Sequence, residues 1–166
     1  MRKIRVLFLI LLAMYSFAAC EKDDICVDGD TPLLVIRFYD VADTTLLKSV
    51  SGLVVSGLAS DGSVVGVIPN AGTDSIAIPL RIGEASTSFI LSRNLTPDDE
   101  TTENMDTLAF DYETQEVFIS RACGFVANYN NLTNTLTTDS DNWIQDITIV
   151  TPSVENSTTA HVKIFH

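Results

Sequence analysis

Apolar side chains recur at every second position in much of this chain, and that alternation restricts its fold more than any other feature. From Ser75 to Ile82, the residues Ile76, Ile78, Leu80 and Ile82 fall on one side of an extended segment, and Ala77, Pro79 and Arg81 on the other. Successive side chains of a strand point to opposite faces, so such a run lays down one apolar and one polar face. Leu33 to Asp40 repeats the pattern, with Leu34, Ile36 and Phe38 on one side. Val50–Leu58 and Val64–Ile68 flank Ser60-Asp61-Gly62, which suits a hairpin turn. Ser88 to Arg93 reads as a further strand, followed by an acidic polar loop from Asn94 to Asn104. Met105–Tyr112 and Glu116–Ala122 read as a hairpin turning at Glu113-Thr114-Gln115, and Trp143–Thr151 and Ala160–Phe165 as a final pair. The Asn- and Thr-rich stretch from Gly124 to Asn142 gives no clear reading. Pro79 has no N–H to give a ladder, so its strand belongs at a sheet edge or carries a bulge. About nine short strands with no helical period predict an all-β domain, an antiparallel β-sandwich of immunoglobulin-like kind. A small β-barrel is the alternative.

The first twenty residues do not belong to that pattern. Arg2, Lys3 and Arg5 precede an apolar run from Val6 to Phe17, and Ala18, Ala19 and Cys20 follow. A basic start, a short apolar centre and small residues before a cut site describe a secretory signal peptide over 1–19. A membrane span needs ~20 apolar residues, and here charges begin at Glu21. Phe17-Ala18-Ala19-Cys20 resembles the bacterial lipobox, although Leu is commoner where Phe17 stands. The resemblance implies that Cys20 receives a lipid and becomes the first residue of the mature chain. Each buried methylene of an acyl chain adds ~0.8 kcal/mol of membrane affinity, so two or more chains anchor stably. The following Glu21-Lys22-Asp23-Asp24 resembles the export signal of surface lipoproteins in the Bacteroidota. That implies display on the outer membrane's outer face through Lys22, Asp23 and Asp24. A solvated charged tether on a periplasmic-face lipoprotein is the alternative.

Cys20 to His166 is 147 residues, enough for one domain with one core. We divide the mature chain into a lipidated tether over 20–30 and a single domain over 31–166. Removing the signal leaves seven basic residues against 22 acidic ones, a net charge of −15. Nucleic-acid affinity comes largely from Lys and Arg neutralising phosphates, so nucleic acid is excluded as a partner. The same charge argues against a domain lying flat on anionic lipid and keeps it soluble.

Lipidation of Cys20 leaves Cys26 and Cys123, and an even pair in an exported protein suggests a disulfide. No C-x-x-C is present, and the two thiols and two histidines lack the spacing of a zinc site. The residues that carry chemistry elsewhere are scarce. A serine hydrolase needs a base beside its nucleophile, yet His161 and His166 both sit at the final strand. Paired acids such as Asp98-Asp99-Glu100 and Asp139-x-Asp141 lie in loops, where they read as solvated charge. Asp28-Gly29-Asp30 and Asp139-Ser140-Asp141-Asn142 offer oxygens to a hard cation without full ligand spacing, and turn chemistry accounts for them better. No cofactor, metal or enzymatic activity is expected. A glycan-binding loop is the most specific ligand reading: Tyr129, Asn130, Asn131 and Trp143 lie in one stretch, although Trp143 precedes an apolar strand and suits core packing. Asp74-Ser75-Ile76 and Asp106-Thr107-Leu108 resemble the O-glycan acceptor motif of Bacteroidota.

The chain as a whole resembles a family of uncharacterised Bacteroidota lipoproteins. The likeness lies in the lipobox cysteine, the Lys-Asp-Asp-Ile-Cys stretch ending at Cys26, Thr31-Pro32, the first strand and the late second cysteine. It implies an address and a fold and no mechanism. Two functions are therefore expected. One is a non-enzymatic envelope accessory domain that docks on an outer-membrane β-barrel or another envelope protein. The other is a glycan- or small-solute-binding surface module. An exposed apolar edge would favour the first, and an aromatic cleft at Tyr129 and Trp143 the second.

Overall fold

A computed structural model of the chain describes residue 26 and residues 29–69, 72–94 and 103–166. The signal peptide, Cys20, Lys22, Asp23, Asp24 and the acids of Asp98-Asp99-Glu100 lie outside the described residues.

The alternating runs become nine strands: β1 (Leu34–Tyr39), β2 (Val54–Leu58), β3 (Val64–Pro69), β4 (Ser75–Ile78), β5 (Ser86–Asn94), β6 (Glu103–Ser120), β7 (Gly124–Leu136), β8 (Asp146–Ile149) and β9 (Val162–Phe165). They form two sheets, of order β4-β1-β9-β8 and β3-β2-β5-β6-β7. The architecture is a β-sandwich, and neither sheet closes into a barrel. Six strand pairings are antiparallel; β1 and β9 pair in parallel, with Ile36 opposite Val162 and Phe38 opposite Ile164.

Period-2 patterning sets which face is buried. Leu34, Ile36 and Phe38 of β1 are fully buried, and they pack with Leu91, Leu108, Phe110 and Ile164 into one core between the sheets. β4 lies at a sheet edge and stops at Ile78, one residue before Pro79. Ile76, Ile78 and Leu80 point inward as their spacing predicts, but Ile82 is exposed because the strand has already ended. Ser60-Asp61-Gly62 does turn the β2–β3 hairpin: Asp61 Oδ1 accepts from Ser63 N at 2.9 Å, and Gly62 takes a φ of 81° that a side chain would strain.

The second predicted hairpin is corrected. Glu113-Thr114-Gln115 is not a turn; β6 runs straight through it for 18 residues. The chain reverses at Arg121-Ala122-Cys123, between Ser120 and its partner Gly124, whose φ is 72°. A three-residue loop closed by a left-handed glycine is a preferred hairpin connection. The polar triplet is accommodated because β5 leaves β6 at Asp111. Beyond that point β6 has one neighbour instead of two, and after the buried Tyr112 the side chains of Glu113, Gln115 and Glu116 face water. Register there is adjusted by a bulge in β7, where Asn131 takes a φ of 55°.

Candidate functional site

The groups that could carry chemistry hold the sandwich together instead. His161 is fully buried, its Nδ1 accepts from Val35 N at 3.0 Å, and burial holds the imidazole below its ordinary pKa. His166 is also buried and depressed by burial; its Nε2 meets Lys48 O at 3.2 Å. Asp106 is a fully buried carboxylate on β6. It accepts from Ile144 N at 2.8 Å and Trp143 N at 3.4 Å, fixing the segment that leads into β8. Burial raises its pKa above the ordinary range despite those bonds. Asp139 and Asn142 bond each other's local backbone, Asn142 Oδ1 accepting from Asp139 N and Asp139 Oδ1 from Asp141 N, as turn residues do. Among the described residues no three His, Cys, Asp or Glu side chains gather to hold a metal. Thr107 lies within β6, paired to Ile90 of β5, so one acceptor-like motif is built into the sheet.

The structure does not assemble the expected aromatic loop. Tyr129 is fully buried on β7; its hydroxyl donates to Leu80 O at 3.0 Å and its ring meets Tyr112 edge-on at 5.0 Å. Trp143 is buried as well; its Nε1 donates to Leu91 O at 3.1 Å and its ring packs near Phe38 and His166. A sugar platform needs an open ring face, and both faces here are spent on the core. Asn130 and Asn131 stay at the surface, Asn130 Nδ2 donating to Gln115 Oε1 at 3.0 Å. The correction has a simple cause: Tyr129 alternates with Ala127 on the inner face of β7, whereas Asn128 and Asn130 face out.

Three surface features remain. The first is an apolar cavity of about 300 Å³ between the sheets at the β3–β4 side. It is lined by Val65, Val67, Ile68, Leu80 and Phe89 and by Gly57 and Gly66. These glycines are direct cross-strand partners, Gly66 being exposed, so two adjacent positions put no side chain over the mouth of the cavity. A Cβ added at Gly66 would meet nothing within 4 Å. Opposite them, the Leu80–Arg81 segment is held by tyrosine hydroxyls: Tyr112 donates to Arg81 O at 2.9 Å, beside Tyr129 on Leu80 O. The Arg81 guanidinium donates to Leu58 O at the cavity's rim.

The second feature is β3 itself. It pairs with β2 on one side and with no described strand on the other. Its sequence, Val-Val-Gly-Val-Ile-Pro, bears no charge, and Val64, Val65 and Val67 are 55%, 63% and 56% exposed. Soluble proteins usually blunt such edges with charged residues, prolines or bulges; β3 has no charge, and carries a bulge opposite Gly57 and Leu58 and a proline, Pro69, at its end.

The third is the end of the β6–β7 hairpin. β5 accompanies β6 only to Asp111, Val154 still bridges Tyr129 on the other side, and the outer part, from Gln115 to the turn, is a two-stranded ribbon. Near its apex Phe118 and Phe125 sit opposite each other, 5.3 Å between centroids, at 56% and 66% exposure. A disulfide joins Cys123 in the turn to Cys26, with their Cα atoms 4.9 Å apart. Gly29 lies so close against the bridge that a Cβ there would overlap the Cys26 sulfur. The even pair of cysteines left once Cys20 is set aside suggests this bridge from sequence. The glycine pair and the ribbon do not show in sequence, because each depends on which strands lie side by side.

Comparison with known proteins returns one family. Residues 52–166 match a family whose description is "Family of unknown function (DUF6452)". No match is found among curated proteins or among solved structures.

Proposed function

The chain belongs to a family of unknown function, DUF6452, and from the surface it presents we propose a non-enzymatic interaction domain of the bacterial envelope, anchored by lipid on Cys20. Its partner is an extended segment of another envelope protein, such as a loop of an outer-membrane β-barrel, added as a strand along β3. The observation that carries this reading is the uncharged, aliphatic edge of β3, which no described strand pairs. An added strand gains main-chain hydrogen bonds along the edge, and pockets for alternate side chains give selectivity. The cavity behind Val65 and Val67 is such a pocket. We place the domain on the outer membrane and, through Lys22-Asp23-Asp24, on the cell surface.

The cavity supports a second reading, a binding module for a small apolar solute. An apolar pocket with few polar groups is the usual form of such a site. The glycan form of this reading lost its support when Tyr129 and Trp143 were found in the core.

A photoreactive residue at Val65, and separately at the exposed Thr158, distinguishes the two readings in cells carrying the full chain. One discrete protein adduct from position 65, absent from 158 and lost on Val67→Lys, is the expected result. Equal, diffuse labelling from both positions removes the β3 reading. The anchor is checked in the same strain: Cys20→Ala should abolish fatty-acid labelling and membrane fractionation. Alanines at Lys22, Asp23 and Asp24 should hide the domain from protease added to whole cells.

A further inference from the structure

We infer that the apex of the β6–β7 ribbon rests on the membrane that holds the chain, with the rings of Phe118 and Phe125 as its lipid contacts, an inference that rests on the Cys20 anchor proposed above. Four observations converge on this end of the molecule.

The apex exposes Phe118, Ile119 and Phe125, and the two rings pack on each other. Paired exposed aromatics at the end of a ribbon are unlike the scattered apolar residues of an ordinary surface. The apex also breaks the charge pattern of the chain. From Val117 to Val126 there is no acidic residue and a single cation, Arg121, in a mature chain of net charge −15. Phospholipid headgroups repel carboxylates and attract guanidinium, so this is the segment of the domain best suited to approach them. The ribbon then extends past the edge of the sheet, which lets its apex touch a surface without bringing the acidic body down with it.

The fourth observation is the tether. Cys26 is six residues from Cys20, and a fully extended chain covers at most about 3.6 Å per residue, or about 22 Å. The bridge adds 4.9 Å between Cα atoms and therefore holds Cys123, two residues from Phe125, within about 27 Å of the lipidated Cys20. Without the bridge the next described bond from this segment to the sandwich is at Thr31, eleven residues after Cys20, whose Oγ1 accepts from Ala127 N at 3.4 Å. A lipid surface is thus favoured over a protein partner as the occupant, because the covalent structure brings the apex to the lipid.

The test uses the full-length acylated protein reconstituted in phosphatidylethanolamine–phosphatidylglycerol vesicles that contain a diazirine phospholipid. Lipid adducts are mapped by mass spectrometry, and the acyl mass on Cys20 is read from the same sample. Adducts should concentrate between Phe118 and Phe125, and Phe118→Ser/Phe125→Ser should lower them about tenfold, as loss of two partly buried rings implies. Cys26→Ser/Cys123→Ser should disperse them while the acyl mass stays. An acylated protein whose apex is labelled no more than Val64–Val67 overturns the inference and leaves the anchor standing. Absence of an acyl mass overturns the anchor, and the inference with it. In native envelopes, apex crosslinks to a protein in place of lipid would also overturn it.

Discussion

Filling the glycine gap tests whether the cavity is a true defect in the core. Gly66→Val places a Cβ where nothing lies within 4 Å, in front of about 300 Å³ of apolar space. Two terms favour the variant. Glycine in a strand interior costs ~0.5–1 kcal/mol of backbone entropy relative to alanine. Each buried carbon adds ~0.8 kcal/mol, and halving this for a cavity open on one side leaves about 1 kcal/mol for the side chain. The sum is a gain of about 1.5–2 kcal/mol, which for a domain of this length raises Tm by roughly 5–7 °C. The cost of overpacking, ~1–3 kcal/mol where a core is already full, does not enter when the space is empty. Differential scanning calorimetry at neutral pH reads the shift. A Tm equal to or below that of the parent, with the secondary structure intact, would refute the reasoning. Combined with the Val65 crosslinking experiment, the variant also separates stability from function: if the pocket receives a partner's side chain, the more stable protein should capture less of it.

The core network gives further expectations. Asp106→Ala leaves the buried N–H groups of Trp143 and Ile144 without an acceptor and should cost about 2–4 kcal/mol in urea titration; a loss under 1 kcal/mol would mean water replaces the carboxylate at little cost. His161 and His166 have pKa values held below 6.5 by burial. The unfolded chain therefore takes up protons first as pH falls through 6.5, and the urea midpoint should decline from pH 7.5 to 5.5; a flat profile would contradict the burial of both rings. Asp106 acts with the opposite sign, because its raised pKa favours the folded state on protonation and loses that contribution as pH rises. Asp106→Asn should consequently steepen the acid limb near pH 4. Reduction of Cys26–Cys123, 97 residues apart, removes at most about 4.7 kcal/mol in the chain-entropy model. It should lower the urea midpoint without changing far-UV circular dichroism at zero denaturant.

What could be read from sequence was whatever depends on neighbours along the chain. The inward set Leu34, Ile36 and Phe38, the turn at Asp61-Gly62 and the place of β4 at a sheet edge all follow from local alternation and turn chemistry, whereas alternation carried that strand to Ile82 and the structure ends it at Ile78. Glu113-Thr114-Gln115 misled because polarity marks exposure, and exposure has two causes, a turn or a strand that has outrun its sheet. Only the pairing of β5 with β6 separates them. Trp143 and Tyr129 sit among Asn and Asp residues and so resemble a binding loop. Their burial comes from contacts with Leu91 and Leu80, about fifty positions away. The Gly57–Gly66 pair was invisible for the same reason, since each glycine alone is an ordinary strand interruption and only their register makes a cavity.

The disulfide also decides how the domain carries load. A pull on the N-terminal segment enters the sandwich at Cys123, at the far end of its longest hairpin, and not at β1. Tension along the ribbon runs parallel to β6, so the nine residue pairs between β5 and β6 resist it side by side in shear. The same pull delivered to the start of β1 would act first on Leu34 and its partner Ile78 at the end of β4, and could open that ladder rung by rung. Oxidation thus moves the point of attachment from a six-residue strand with four partners in each neighbour to the most extensively paired hairpin among the described residues. In its reduced form, the fold would be held by its weaker handle.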